Sequence, residues 1–287
     1  MDEITTTAPA ADRLPRPGGT LAYDVRGAGP LVVCVPGMGD TRRDYDALAD
    51  ALVAAGHRVA TLDLRGHGGS DTTFTDHTRP EAGADVVALV EHLIEHPVGH
   101  PAEPDGRAHL IGCSYGASAV AWAAGTRPDL VAGLTLIGPF VRDLPVPAVQ
   151  RLALSAMLAR PWGARAWTAW FRRLHRRPPA DLDARVAHVG AMIREPGRLA
   201  ALRAMAATDC VEVDAALDGI TAPTLVVMGT ADPDFGDPAA EAAAIAARVD
   251  GRARGRVHLV EGAGHYPHVE APDEALPAIV AHVAETR

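Results

Sequence analysis

The chain has 287 residues, 48% of them apolar, and 27 basic against 36 acidic side chains for a net charge of −9. That length suits one large α/β domain with room for an inserted subdomain. The acidic balance speaks against nucleic acid as a partner, and no apolar run approaches the roughly 20 residues that span a bilayer. Every basic residue is an arginine, which reads as coding bias and not as function. Residues 141–205 hold twelve arginines and four acidic groups, so the remainder is strongly acidic. Cys34, Cys113 and Cys210 are odd in number and far apart, which argues against a disulfide framework.

Residues 1–19 are polar, rich in Pro, Gly and Thr, and lack the apolar segment of a signal peptide. They are expected to form a flexible arm on a cytoplasmic protein. Alternation over residues 20–26 predicts an opening strand, and the apolar run 31–35 a second one, followed by Pro36-Gly37-Met38-Gly39-Asp40. Thr41-x-x-Asp44 marks a helix start, and the helix runs to Gly56. A strand over 58–62 leads into Asp63-Leu64-Arg65-Gly66-His67-Gly68-Gly69-Ser70, and a helix over 81–96 turns Val86, Leu89, Val90, Leu93 and Ile94 inward. After a Pro/Gly-rich loop come a strand ending at Gly112 and an Ala-rich helix from Tyr115 to about Gly125. Further strands are expected at 130–137, 223–228 and 256–260. Strands alternating with helices predict a mainly parallel central sheet flanked by helices. Residues 20–140 and 221–287 form that core. Residues 141–220 carry no strand pattern but several Pro-broken helical stretches and Trp162, Trp167 and Trp170, and read as an inserted helical cap.

Gly112-Cys113-Ser114-Tyr115-Gly116 has the strand–turn–helix setting of a nucleophile elbow. Ser114 would stand on a sharp turn at a helix N-terminus, where free N–H groups favour developing negative charge. In an open parallel sheet, functional groups gather at the C-terminal ends of strands. Glycines in the 36–39 loop let backbone N–H groups approach a ligand, so Met38 and Tyr115 N–H are the candidate oxyanion hole. Of three aspartates after residue 229, Asp232 stands nearest the strand end, Asp234 is the reserve, and Asp237 before Pro238 looks like a helix N-cap. His265 follows two loop glycines after the last strand and is the candidate base; His268 is the other choice, in a more peripheral place.

From residue 31 onward the chain resembles the α/β-hydrolase superfamily. The residues that carry the likeness are the Gly112–Gly116 elbow, the 63–70 loop, Gly229-x-x-Asp232-Pro233 and Gly262-Ala263-Gly264-His265-Tyr266-Pro267-His268-Val269-Glu270. The resemblance implies Ser114 as nucleophile, His265 as base, Asp232 as its partner, and Met38 and Tyr115 N–H as the oxyanion hole. It implies no metal and no cofactor, and a small-molecule acyl substrate. Pro36-Gly37 replaces the more usual His-Gly pair, which bears on subfamily more than on activity. A serine at the elbow argues against the dehalogenases and epoxide hydrolases of this fold, which use Asp there. The expectation is a serine hydrolase acting on a carboxylic ester or related acyl compound. C–C bond hydrolase, thioesterase, lactonase, perhydrolase and a non-turnover ligand receptor stay open.

Three features read as structural. His92-Leu93-Ile94-Glu95-His96 matches a zinc pattern but lies on the solvent side of its helix. His67 is expected to fix loop backbone, and Arg172, Arg173, Arg176 and Arg177 to form an exposed basic face.

Overall fold

The computed structural model describes residues 11–96, 106–145 and 147–286. The first ten residues of the expected arm and the Pro/Gly-rich loop at 97–105 lie outside them. The sheet comprises β1 (Asp12–Arg16), β2 (Gly19–Gly27), β3 (Leu31–Val35), β4 (Arg58–Leu62), β5 (Ala108–Cys113), β6 (Val131–Ile137), β7 (Thr224–Gly229) and β8 (Gly255–Val260). Its order is β1-β2-β4-β3-β5-β6-β7-β8. The pairs β1/β2 and β2/β4 are antiparallel and the rest parallel.

Because strand side chains alternate, the parallel strands feed two apolar layers. Val33, Val35, Leu110 and Val226 face a core shared with α2 (Arg79–Glu95), α3 (Tyr115–Thr126) and α9 (Pro238–Ala253). Val32, Cys34, Ile111 and Val227 face another, shared with α1 (Asp46–Ala54) and α11 (Pro272–Glu285). Cys34 and Cys113 are fully buried within it. Among the described residues, no helix is long and apolar enough to cross a membrane.

Between β6 and β7 the chain inserts α4 (Ala148–Met157), α5 (Gly163–Leu174), α6 (Leu182–Arg194), α7 (Arg198–Ala206) and α8 (Val211–Ala216). Trp167, Phe171 and Leu174 of α5 and Val189, Met192 and Ile193 of α6 extend the second core, whereas Val213 of α8 joins the first.

The fold departs from expectation in two places. Residues 12–16, read as part of a flexible arm, form edge strand β1, with Leu14 buried opposite Leu21. An edge strand tolerates Pro15, and its single apolar residue shows no alternation to read. The expected helix over 41–56 begins instead with a 3₁₀ turn, Arg42–Tyr45, and the Thr41 side chain caps nothing. Asp44 turns inward to another partner.

Candidate active site

Ser114 sits between the last residue of β5 and the first of α3 at φ 54° and ψ −117°. A β-carbon is strained in that region, so the surrounding chain must hold the residue there. Its N–H donates to the Ile137 carbonyl at the end of β6 over 2.8 Å. A Cβ on Gly112 would collide with the Gly116 carbonyl, and one on Gly116 with the Val35 carbonyl. The glycines two residues either side of the serine therefore let strand, turn and helix close on one another.

The loop after β3 lies against this turn. A Cβ on Gly37 would stand 3.2 Å from Ser114 Cβ and 3.6 Å from the Tyr266 hydroxyl. Asp40 N–H closes the turn on Gly37 O at 3.3 Å, with Met38 inside it. Tyr115 N–H opens α3, where first-turn N–H groups have no intrahelical acceptor.

His265 is buried beside Gly138, the residue that follows β6; a Cβ there would be 3.1 Å from Nδ1. Its Nδ1–H donates to Asp232 Oδ2 at 2.7 Å. Asp232 is also buried, and its Oδ1 accepts Asp234 N–H at 3.0 Å. Asp234 Oδ2 lies farther from the ring, at 3.9 Å, and burial pushes that carboxyl up. Burial opposes charge on the His265 ring. The Asp232 carboxylate outweighs it through charge and hydrogen bond, assisted by Asp234 and Glu270, and raises the ring to about 9. Nδ1 is thereby committed to Asp232 and Nε2 is left as the basic nitrogen. Asp237 Oδ1 accepts Ala240 N–H at 2.9 Å and caps α9. Asp232 thus holds the histidine and Asp237 caps a helix, while the Asp234 carboxylate stands beyond hydrogen-bond distance of the ring.

His268 is the residue whose place differs most from expectation. Instead of lying at the periphery it is buried, and its Nε2–H donates to Asp44 Oδ2 at 2.8 Å. Glu270 is likewise a partner that sequence reasoning missed. Its Oε2 accepts Gly264, Arg176 and Arg177 N–H, each at 2.8 Å, and its Oε1 accepts Tyr266 N–H at 3.0 Å. His265 N–H in turn donates to the Leu174 carbonyl at 2.9 Å. The loop that carries His265 is thus fastened to the end of α5.

The remaining candidates divide. Trp167 is buried and packs its indole on Gly39, next to Met38. Trp162 is 53% exposed, with its indole N–H on the Ala156 carbonyl, and Trp170 is half-buried under the Arg173 guanidinium. His67 is buried, donates Nδ1–H to the Arg65 carbonyl at 2.9 Å, and is pushed down to about 4 chiefly by burial. His92 and His96 stack on each other at 4.9 Å on the outer side of α2. Arg172, Arg173 and Arg176 are exposed. Among the described residues, two groups place potential metal-ligating atoms within 4.8 Å of one another: Asp232, Asp234 and His265, and Asp44, Cys113 and His268. In each, a carboxylate already holds the histidine, and the Arg185 guanidinium 3.4 Å from Asp44 opposes a cation in the second.

A strained serine at a strand–helix turn, a buried Asp–His pair beside the next strand and a glycine loop against the serine make a distinctive set. The alpha/beta hydrolase family pattern matches residues 32–278. The chain belongs to the alpha/beta hydrolase family. It is an enzyme of that class. The chain is 28% identical to 2-(acetamidomethylene)succinate hydrolase of Mesorhizobium japonicum, over 91% of this chain and 90% of that one. It is 31% identical to a Burkholderia thailandensis protein named polyketide synthase ThaQ, over 97% of this chain but only 13% of that relative's length. Among solved structures, a hydrolase from Pseudomonas aeruginosa PA01 superimposes with a TM-score of 0.73 at 27% identity, covering 96% of this chain and 99% of that one.

Proposed function

We propose that the chain is a serine hydrolase that cleaves a carboxylic ester or related acyl compound through an acyl-enzyme, without metal or cofactor. The reading rests on the buried Asp232–His265 hydrogen bond beside Gly138, one residue beyond the Ile137 carbonyl that holds Ser114 N–H. Ser114 Oγ attacks the carbonyl carbon while His265 Nε2 takes its proton. Asp232 fixes the tautomer and stabilises the imidazolium. Met38 and Tyr115 N–H receive the oxyanion. The leaving alkoxide takes the proton from His265, and water activated by the same nitrogen then releases the acid.

The helices inserted between β6 and β7 act as a cap that selects the acyl group, with Trp167 over the oxyanion loop as its inner surface. The substrate is a small molecule. Turnover of ester, thioester and lactone series of graded acyl length by wild type and Ser114→Ala tests the reading. Wild type should hydrolyse at least one ester with an acyl-enzyme burst, and Ser114→Ala should lose about 10³-fold or more. Full activity in Ser114→Ala contradicts the mechanism. Saturable thermal stabilisation by ligands with no turnover of any series favours a receptor instead.

A further inference from the structure

In acyl transfer the oxyanion donors and the general base must hold a fixed separation. In this chain one of the two donors, Met38 N–H, and the base, His265, sit on loops far apart in sequence. Met38 packs against both apolar cores and Trp167 covers Gly39, while residues 40–45 tie the turn to β3 and to the other loop. Tyr45 O–H donates to the Val35 carbonyl at 2.9 Å, and Asp44 N–H to the Thr41 carbonyl at 3.0 Å. The Asp44 carboxylate then reaches the other loop: its Oδ2 accepts His268 Nε2–H at 2.8 Å, three residues beyond His265. The His268 ring stacks on Tyr45 with centroids 5.3 Å apart. His268 itself rides on the four-residue helix α10 (Pro267–Glu270), whose Glu270 carboxylate gathers the N–H groups of the His265 loop. Arg185 of α6 comes within 3.4 Å of Asp44 Oδ1 and also binds Asp181 at 3.0 Å.

We propose that Asp44 and His268 are positioning residues whose buried hydrogen bond, backed by Arg185, sets the separation between the Met38 turn and the His265 loop. The inference rests on the proposed roles of Ser114, His265 and Met38. A buried polar pair is a poor device for stability alone, because well-packed apolar residues at the same positions serve as well or better. What the pair adds is a defined direction and length between two backbone segments, and misplacement by about 1 Å costs on the order of 100-fold in rate. The Cys113 sulfur lies within 4.8 Å of both ligating atoms, so the pair also abuts the residue preceding the nucleophile.

Paired variants separate the hydrogen bond from the packing. Asp44→Val/His268→Leu replaces the pair with apolar residues, and His268→Gln keeps an amide donor near the position of Nε2. kcat, KM, melting temperature and the rate of phosphonate labelling at Ser114 are measured on the ester that wild type hydrolyses best. The apolar double variant should melt cooperatively with little change in KM, label more slowly, and lose about 10- to 100-fold in kcat. His268→Gln should recover to within about 3-fold of wild type, since the donor is restored. A folded double variant with wild-type kcat overturns the proposal, as does equal loss in both variants in step with their melting temperatures. If the double variant does not fold, His268→Gln is compared with His268→Asn, whose amide matches Nδ1 and falls short of Asp44. Equal kcat in those two overturns the proposal, and a selective loss in His268→Asn sustains it. A wild type that neither labels at Ser114 nor turns over overturns the serine-hydrolase reading itself, which the wild-type control reports separately.

Discussion

In the proposed mechanism His265 works as a base and must be neutral, and its pairing with Asp232 sets the pH at which it becomes so. With the ring raised to about 9, the neutral fraction grows through the alkaline range, so kcat/KM should climb from neutral pH toward about 9. In Asp232→Asn the largest attracting charge is gone while burial remains, and burial favours the neutral ring. The ascending limb should therefore shift to lower pH even as kcat falls by orders of magnitude from loss of tautomer control. A pH–rate profile of the two proteins checks this. An unshifted limb in the variant would mean that a different group controls the rise. The chain order of Ser114, Asp232 and His265 was readable because each stands just after a strand, where the fold collects them. His268 was not, since nothing near it in sequence announces Asp44, 224 residues away.

Secondary structure was legible wherever a segment pairs a mostly apolar run with a turn signal, as in β3, β5, β6 and β7. It was obscured where tertiary partners decide the outcome. β1 shows only Leu14 to the core, and the 3₁₀ turn at Arg42–Tyr45 arises where Asp44 faces His268 instead of serving a helix terminus. The start of α9 was visible because Asp237-Pro238 carries both cap and first-turn proline. Asp237→Ala should cost about 1 kcal/mol in chemical denaturation and leave kcat unchanged. Within α5, the sequence could not rank the tryptophans, because exposure depends on which face meets Gly39. Trp167→Ala should alter relative kcat/KM across a graded acyl series by about 10- to 200-fold. The exposed Trp162, substituted in the same way, should leave that profile as it is. If both profiles match wild type and only the melting point of Trp167→Ala falls, the aromatic is packing alone.

Besides the shared apolar core, the Glu270 carboxylate ties the insert to the loop after β8. It joins Arg176 and Arg177, just past α5, to Gly264 and Tyr266 on either side of His265. Its contacts span more than 90 residues of sequence, so the role lay beyond any local pattern even though the glutamate closes the motif that resembles the family. Glu270→Gln places an amide nitrogen where an acceptor is needed. The change should lower stability by about 2–4 kcal/mol, because buried N–H groups lose a charged partner. Limited proteolysis should then cut first near residues 176–181, and resistance there equal to wild type would show that other contacts hold the insert.

Every step of the proposed chemistry begins at Ser114, so the decisive measurement is the site of covalent capture. An alkyl phosphonate ester should add one group per chain, peptide mass spectrometry should place it on Ser114, and folded Ser114→Ala should take none. Modification of Ser118 or Cys113 with Ser114 untouched, or undiminished labelling of Ser114→Ala, would contradict the account.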